Sequence, residues 1–146
     1  MVGVVVRSLV GALLVLTAGC AAAESAWTPP PPAPTAQQAA ANFLPAVVDG
    51  RSGDAASVLS PEAVARDVGA GWLEDPPALT DIRWGEPRPD GAAAQYHPAY
   101  TDVTFVPVSF HVGASGDGFE EGDTAWGYIV GHSADDGWLI LDNGAV

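Results

Sequence analysis

The chain contains no lysine and a single cysteine among its 146 residues. One thiol cannot form a disulfide within the chain, so a folded domain here must rest on a hydrophobic core and not on covalent staples. Basic residues are scarce as well: five, all arginine, against 18 acidic residues, for a formal net charge of −13. Nucleic-acid phosphates and anionic headgroups are bound through basic patches, so this balance excludes nucleic acid as a partner. The apolar segment at residues 9–16 falls short of the about 20 residues a membrane-spanning helix needs. Gly-x-Ser-x-Gly, phosphate-loop and dinucleotide-binding patterns are all missing, and Gly113-Ala114-Ser115-Gly116 reads as a flexible turn. No cofactor is called for.

What is present begins at the N-terminus. Met1 and Arg7 supply a positive start, residues 9–16 an apolar stretch, and Leu16-Thr17-Ala18-Gly19 small residues before Cys20. This is the anatomy of a secretory signal peptide cleaved just before Cys20. Leu16-Thr17-Ala18-Gly19-Cys20 resembles the lipobox of bacterial lipoproteins, with Thr17 where a large aliphatic residue is usual and Leu16 one place further back. The resemblance implies a lipid on the Cys20 thiol and anchoring to the outer, extracytoplasmic face of the cell membrane. The alternative, a secreted protein with a spare thiol, leaves the cysteine unexplained. Cleavage removes Arg7, leaving four basic residues against the 18 acidic ones, so the charge of −13 becomes −14.

Residues 20–34 read as the lipidated cysteine and a tether. The prolines in Trp27-Thr28-Pro29-Pro30-Pro31-Pro32-Ala33-Pro34 lock φ and remove backbone donors, which predicts an extended spacer. Residues 35–146, about 110, suffice for one core and not for two. Thr35-x-x-Gln38 has the form of a capping box, and Ala40, Phe43, Leu44, Val47 and Val48 fall on one face of the helix it would open, with Pro45 as a kink. Asp54 is expected to cap a second short helix. Ser60-Pro61-Glu62 is expected to open a third, which carries Val64, Val68 and Trp72 on its inner face and ends at Gly69 or Gly71. Beyond Asp75-Pro76-Pro77 the period becomes 2, and strands are predicted at 79–84, 93–97, 101–112, 124–132 and 138–142. Pro107 within the longest of these requires an edge, a bulge or a bend. Helices followed by antiparallel strands define an α+β domain with its helices packed on one face of a curved sheet.

At the level of fold, the residues Ala41-Asn42-Phe43-Leu44, the stretch 53–62, Trp126-Gly127-Tyr128 and Gly137-Trp138-Leu139-Ile140 together resemble the nuclear transport factor 2-like superfamily. The resemblance spans residues 35–146 and implies a cone of helices wrapped by a curved sheet, an architecture that often pairs into homodimers through its exposed sheets. It transfers no catalytic residue, because the superfamily holds isomerases, cyclases and non-catalytic accessory domains alike.

Strand parity sorts the candidate site. Trp126, Tyr128 and Val130 share one face, as do Val106, Val108, Phe110 and Val112, and these bulky faces are expected to meet the helices. His111 then points outward, His97 falls at a strand end and His132 closes a hairpin, so a metal held by all three is not expected. Asp117, Glu120, Glu121 and Asp123 lack the ligand spacing of a calcium loop and read as a solvated hairpin tip. A five-residue loop after His132 would set Tyr128 opposite Asp142 on the inner face, where a phenol and a carboxylate could orient a ligand or move a proton. Phe110, Trp126, Tyr128 and Asp142 are thus the candidate ligand-binding residues, although Asp142 is four residues from the C-terminus, where strand ends fray, and the simpler reading has it pointing to water. Two functions follow: a non-enzymatic lipoprotein domain binding a small apolar ligand or an envelope partner protein, or a cofactor-independent isomerase or cyclase.

Overall fold

The computed structural model describes residues 27–66, 68, 70–113 and 120–145. Cys20 and Asp117 lie outside them. Among the described residues five short helices, α1 (Ala36–Val48), α2 (Ser52–Ser57), α3 (Pro61–Ala65), α4 (Ala70–Glu74) and α5 (Gly91–Tyr96), accompany five strands, β1 (Leu79–Trp84), β2 (Arg88–Pro89), β3 (Thr101–Val112), β4 (Gly122–Ser133) and β5 (Gly137–Ala145). The strands form one open, curved antiparallel sheet in the order β1-β3-β4-β5, with β2 pairing on β3 as well. The domain is α+β.

Helix α1 begins where Thr35 accepts a hydrogen bond from the Gln38 amide at 3.1 Å. Only this half of the capping box forms, because the Gln38 side chain bonds Asn42 instead. Ala40, Phe43, Leu44 and Val47 are buried against the sheet, and the helix continues through Pro45. In α2, Asp54 sits within the first turn and Arg51 takes the capping position, one turn earlier than expected.

The third helix differs more. Ser60 caps it through the Ala63 amide, but α3 stops after five residues and the chain restarts as α4. Val64 is consequently 54% exposed, while Val68 and Trp72 are buried. The break has a cause in the sheet. Ser60 N–H donates to the Ile140 carbonyl at 2.9 Å, and Ile140 N–H donates to the Val58 carbonyl at 2.8 Å, so residues 58–60 continue the sheet beside β5. With its start pinned at that edge, α3 packs on β5, and a second helix is needed to carry Trp72 back to the core.

The predicted strand at 93–97 is instead helix α5. Asp90 accepts from the amides of both Ala92 and Ala93, and three consecutive alanines follow the cap, the composition most favourable to helix. Strands β1 and β3 run over the residues that alternation marks. Pro107 lies in mid-sheet, opposite the break between β1 and β2 that both pair along this edge of β3, and there Gly85 N–H donates to its carbonyl at 2.9 Å. A strand residue's N–H and C=O point the same way, so the missing donor faces a local edge, as a strand proline requires.

Residues 27–34 do not stand clear of the domain as a spacer would. Ala33 is buried, Trp27 Nε1 donates to Asp54 Oδ1 at 3.1 Å, and a Cβ on Gly137 would meet Pro32 at 2.9 Å. Gly137, at φ +76°, thus serves both the β4–β5 turn and the close passage of the proline segment. Among the described residues no helix is long and apolar enough to cross a membrane.

Candidate functional site

The inner sheet face carries the residues parity assigns to it. Val106, Phe110, Val112, Tyr128 and Val130 are buried beneath α1 and α4, and Trp126 packs against them partly buried. Their aromatic rings interlock. Trp72 meets Phe110 edge-on at 6.1 Å and stacks on Trp126 at 6.0 Å, while Tyr128 lies 5.7 Å from Phe43 and 6.3 Å from Trp84. Three of the four candidate ligand-binding residues therefore stand together, as core.

Asp142 does not join them. The β4–β5 pairing begins as expected, with His132 opposite Trp138 and Val130 opposite Ile140, and then shifts, so that Ile129 faces Asp142 and Tyr128 faces Asn143. The extra residue is Leu141. A β-bulge turns two consecutive side chains to one side of the sheet, and Leu141 turns outward to be buried against Gly131 and Tyr100. Asp142 follows it to the outer face, where Arg66 Nη1 pairs with its Oδ2 at 3.0 Å.

Tyr128 is left with a buried hydroxyl that has no hydrogen-bond partner among the described residues. Burial alone pushes its phenol well above the usual range. An unpaired buried hydroxyl is a cost, so Tyr128→Phe is expected to leave stability unchanged or raise it by about 1 kcal/mol in urea unfolding. A loss of that size would show that the hydroxyl is paired.

The histidines are dispersed. His111 Nδ1 lies 2.9 Å from Asp123 Oδ1 on the outer face, His132 packs edge-on against Trp138, and His97 follows α5. Among the described residues no group of three or more histidine, cysteine, aspartate or glutamate side chains could hold a metal ion. His111, Asp123, Ser109, Arg83 and Asp81 line a polar cleft of about 360 Å³ where β1 bulges and Asp81 takes φ +53°.

A larger groove, about 690 Å³, opens on the same outer face between α3 and α5. Its floor is the Ile129–Asp142 pair created by the bulge. Glu62, Ala65 and Arg66 form one wall, and Ala93, Tyr96 and His97 the other. Each wall has a local cause: α3 is held at the sheet edge by the pairing of residues 58–60, and α5 is placed by Asp90, whose N–H donates to the Val103 carbonyl at 2.9 Å. Two polar ties brace the walls. Arg66 reaches the Leu141 carbonyl as well as Asp142, and Tyr100 Oη donates to Glu62 Oε2 at 2.6 Å. That bond holds the Glu62 carboxyl below its ordinary range, while burial, reinforced by the same bond, raises the Tyr100 phenol.

Alanines on both walls leave the groove wide, and Tyr96 is 82% exposed at its rim. Helix α5 has no fully buried residue: Ala93 and Ala94 are half-buried, and Ala92 and Tyr96 are exposed. Of the groove residues, sequence reasoning singled out Asp142, for which it left the inner face and solvent both open, and His97, which it placed at a strand end; the groove itself it missed. The available signal was Asp90 before a run of alanines. No protein-family model matches the chain, and no curated protein or solved structure matches it.

Proposed function

We propose that this protein is an extracytoplasmic lipoprotein whose single domain, of nuclear transport factor 2-like architecture, acts without catalysis as a binding module for a small apolar ligand or an apolar surface of an envelope protein. Binding takes place in the α3–α5 groove, outside the helix–sheet interior. The observation that carries this reading is the contrast between the two faces: the interior is occupied by interlocked rings, while the outer face holds an open groove in which Ile129, Ala65 and Ala93 lie among charged side chains, with an exposed aromatic at its rim. The isomerase or cyclase alternative would need a proton acceptor other than Asp142, which the bulge carries away from Tyr128. A homodimer formed through the outer sheet face would compete with the ligand for the groove.

The anchor is Cys20. Because residues 27–34 lie on the domain, only residues 21–26 separate the lipidated cysteine from Trp27. The seven steps from Cys20 to Trp27 reach at most about 25 Å, which keeps the domain beside the bilayer. In a bacterial host the chain is expected to incorporate labelled fatty acid and to fractionate with membranes, and Cys20→Ser is expected to lose both properties. An unlabelled wild type in the medium would refute the anchor. For the groove, the neutral probe N-phenyl-1-naphthylamine is expected to brighten on binding the wild type and to lose this response in Ala93→Trp, whose indole fills the groove. An equal response from the variant would place apolar binding elsewhere.

A further inference from the structure

We infer that the ligand of the α3–α5 groove is an amphiphilic monocation: an apolar body, alkyl or aryl, bearing one amine. This inference rests on the groove reading above and adds the chemistry of the ligand to it. The groove holds two carboxylates, one guanidinium and the imidazole of His97, whose electrostatic pull on Glu62 is a minor one beside the Tyr100 hydrogen bond. Asp142 is neutralised by Arg66 at 3.0 Å, and the second Arg66 nitrogen is engaged by the Leu141 carbonyl. Glu62 has no such partner. It accepts a hydrogen bond from the neutral Tyr100 phenol and makes no ion pair among the described residues. With His97 neutral, the groove therefore keeps one negative charge beside the apolar side chains of Ile129, Ala65 and Ala93.

Two further observations agree with this. Tyr96 offers an exposed aromatic face at the rim, and a ring face attracts a cation, most of all one that has shed part of its water. The chain's net charge of −13 enriches cations near its surface and repels anions. A second copy of the chain is a poor occupant for the same reason, since it would bring equal negative charge to the groove. An apolar amine satisfies each feature at once: the body covers Ala65, Ala93 and Ile129, and the ammonium meets Glu62 under Tyr96.

The test is equilibrium dialysis of the full chain against three probes of one shape: 4-phenylbutylamine, 4-phenylbutanol and 4-phenylbutyrate. The amine is expected to bind saturably at one equivalent, at least tenfold more tightly than the alcohol, and the carboxylate more weakly still. Glu62→Gln keeps an acceptor for Tyr100 and is expected to bring amine and alcohol to within about twofold of each other. Tyr96→Ala, at an exposed position that cannot disturb the core, is expected to weaken the amine severalfold, and Ala93→Trp to abolish binding of all three. If wild type binds the alcohol or the carboxylate as well as the amine, and Ala93→Trp removes that binding, the groove stands and the cation inference is overturned. If no probe binds saturably, or Ala93→Trp changes nothing, the groove reading falls and this inference with it.

Discussion

Replacing Trp72 with alanine is expected to destabilise the domain by about 3–5 kcal/mol, the range for truncating a buried large aromatic. The ring is 7% exposed and lies between Phe110 and Trp126, edge-on to one and stacked on the other. Its loss also removes part of what holds α4 in place. Five residues cannot sustain a helix alone, so the position of α4 depends on Trp72 together with Leu73, which packs partly buried against the same core. Urea unfolding of the full chain measures the effect. A change below about 1 kcal/mol would mean that the indole is not part of the core.

The second large effect is expected at Gly127, on the opposite face of the sheet. The Phe105 ring lies directly over this glycine, occupying the space a Cβ would take. It is held there from above by the Arg88 guanidinium, 4.7 Å from the ring centroid. Gly127→Ala must therefore displace a ring that is clamped between two strands, and is expected to cost about 1–3 kcal/mol, the usual penalty for overpacking. If the clash with Phe105 is the cause, Phe105→Ala combined with Gly127→Ala should cost less than the sum of the single changes, because neighbours in contact couple. Strict additivity in the unfolding free energies would place the strain elsewhere.

These two sites differ in how far they can be read from the chain. Trp72 and its partners follow from local pattern. Val106, Val108, Phe110 and Val112 alternate with less apolar residues, and Trp126, Tyr128 and Val130 alternate with Ala125, Gly127 and Gly131 on the neighbouring strand, Ile129 excepted, so the inner face is legible without coordinates. The capping residues Thr35 and Ser60 are legible for the same reason, since each acts on amides only three positions away. The contact of Phe105 with Gly127, diagonal neighbours across the β3–β4 pair, needs the register of that pair, which no local pattern supplies.

The groove was hidden by two features that local patterns describe poorly. Trp138-Leu139-Ile140-Leu141 is a continuous apolar run, and without alternation the parity of Asp142 cannot be carried past Ile140. The bulge at Leu141 is chosen by a tertiary demand: the outer face at Gly131 and Tyr100 must be covered, and Leu141 covers it. Similarly, Asp90-Gly91 punctuates a hairpin as readily as it caps a helix. What selects the helix is the anchoring of Asp90 to Val103 and the alanines that follow.

By itself, then, the amino-acid sequence determined the first two helices and the four longer strands, the inner face of the sheet, the acidic surface and the absence of a disulfide within the chain. Each of these depends on composition or on interactions within a few residues. Only the tertiary structure decided that Asp142 leaves Tyr128, that residues 27–34 belong to the domain and that a groove forms between α3 and α5. Those outcomes depend on which distant segments compete to bury the same apolar surface, and burial is a property of the assembled chain.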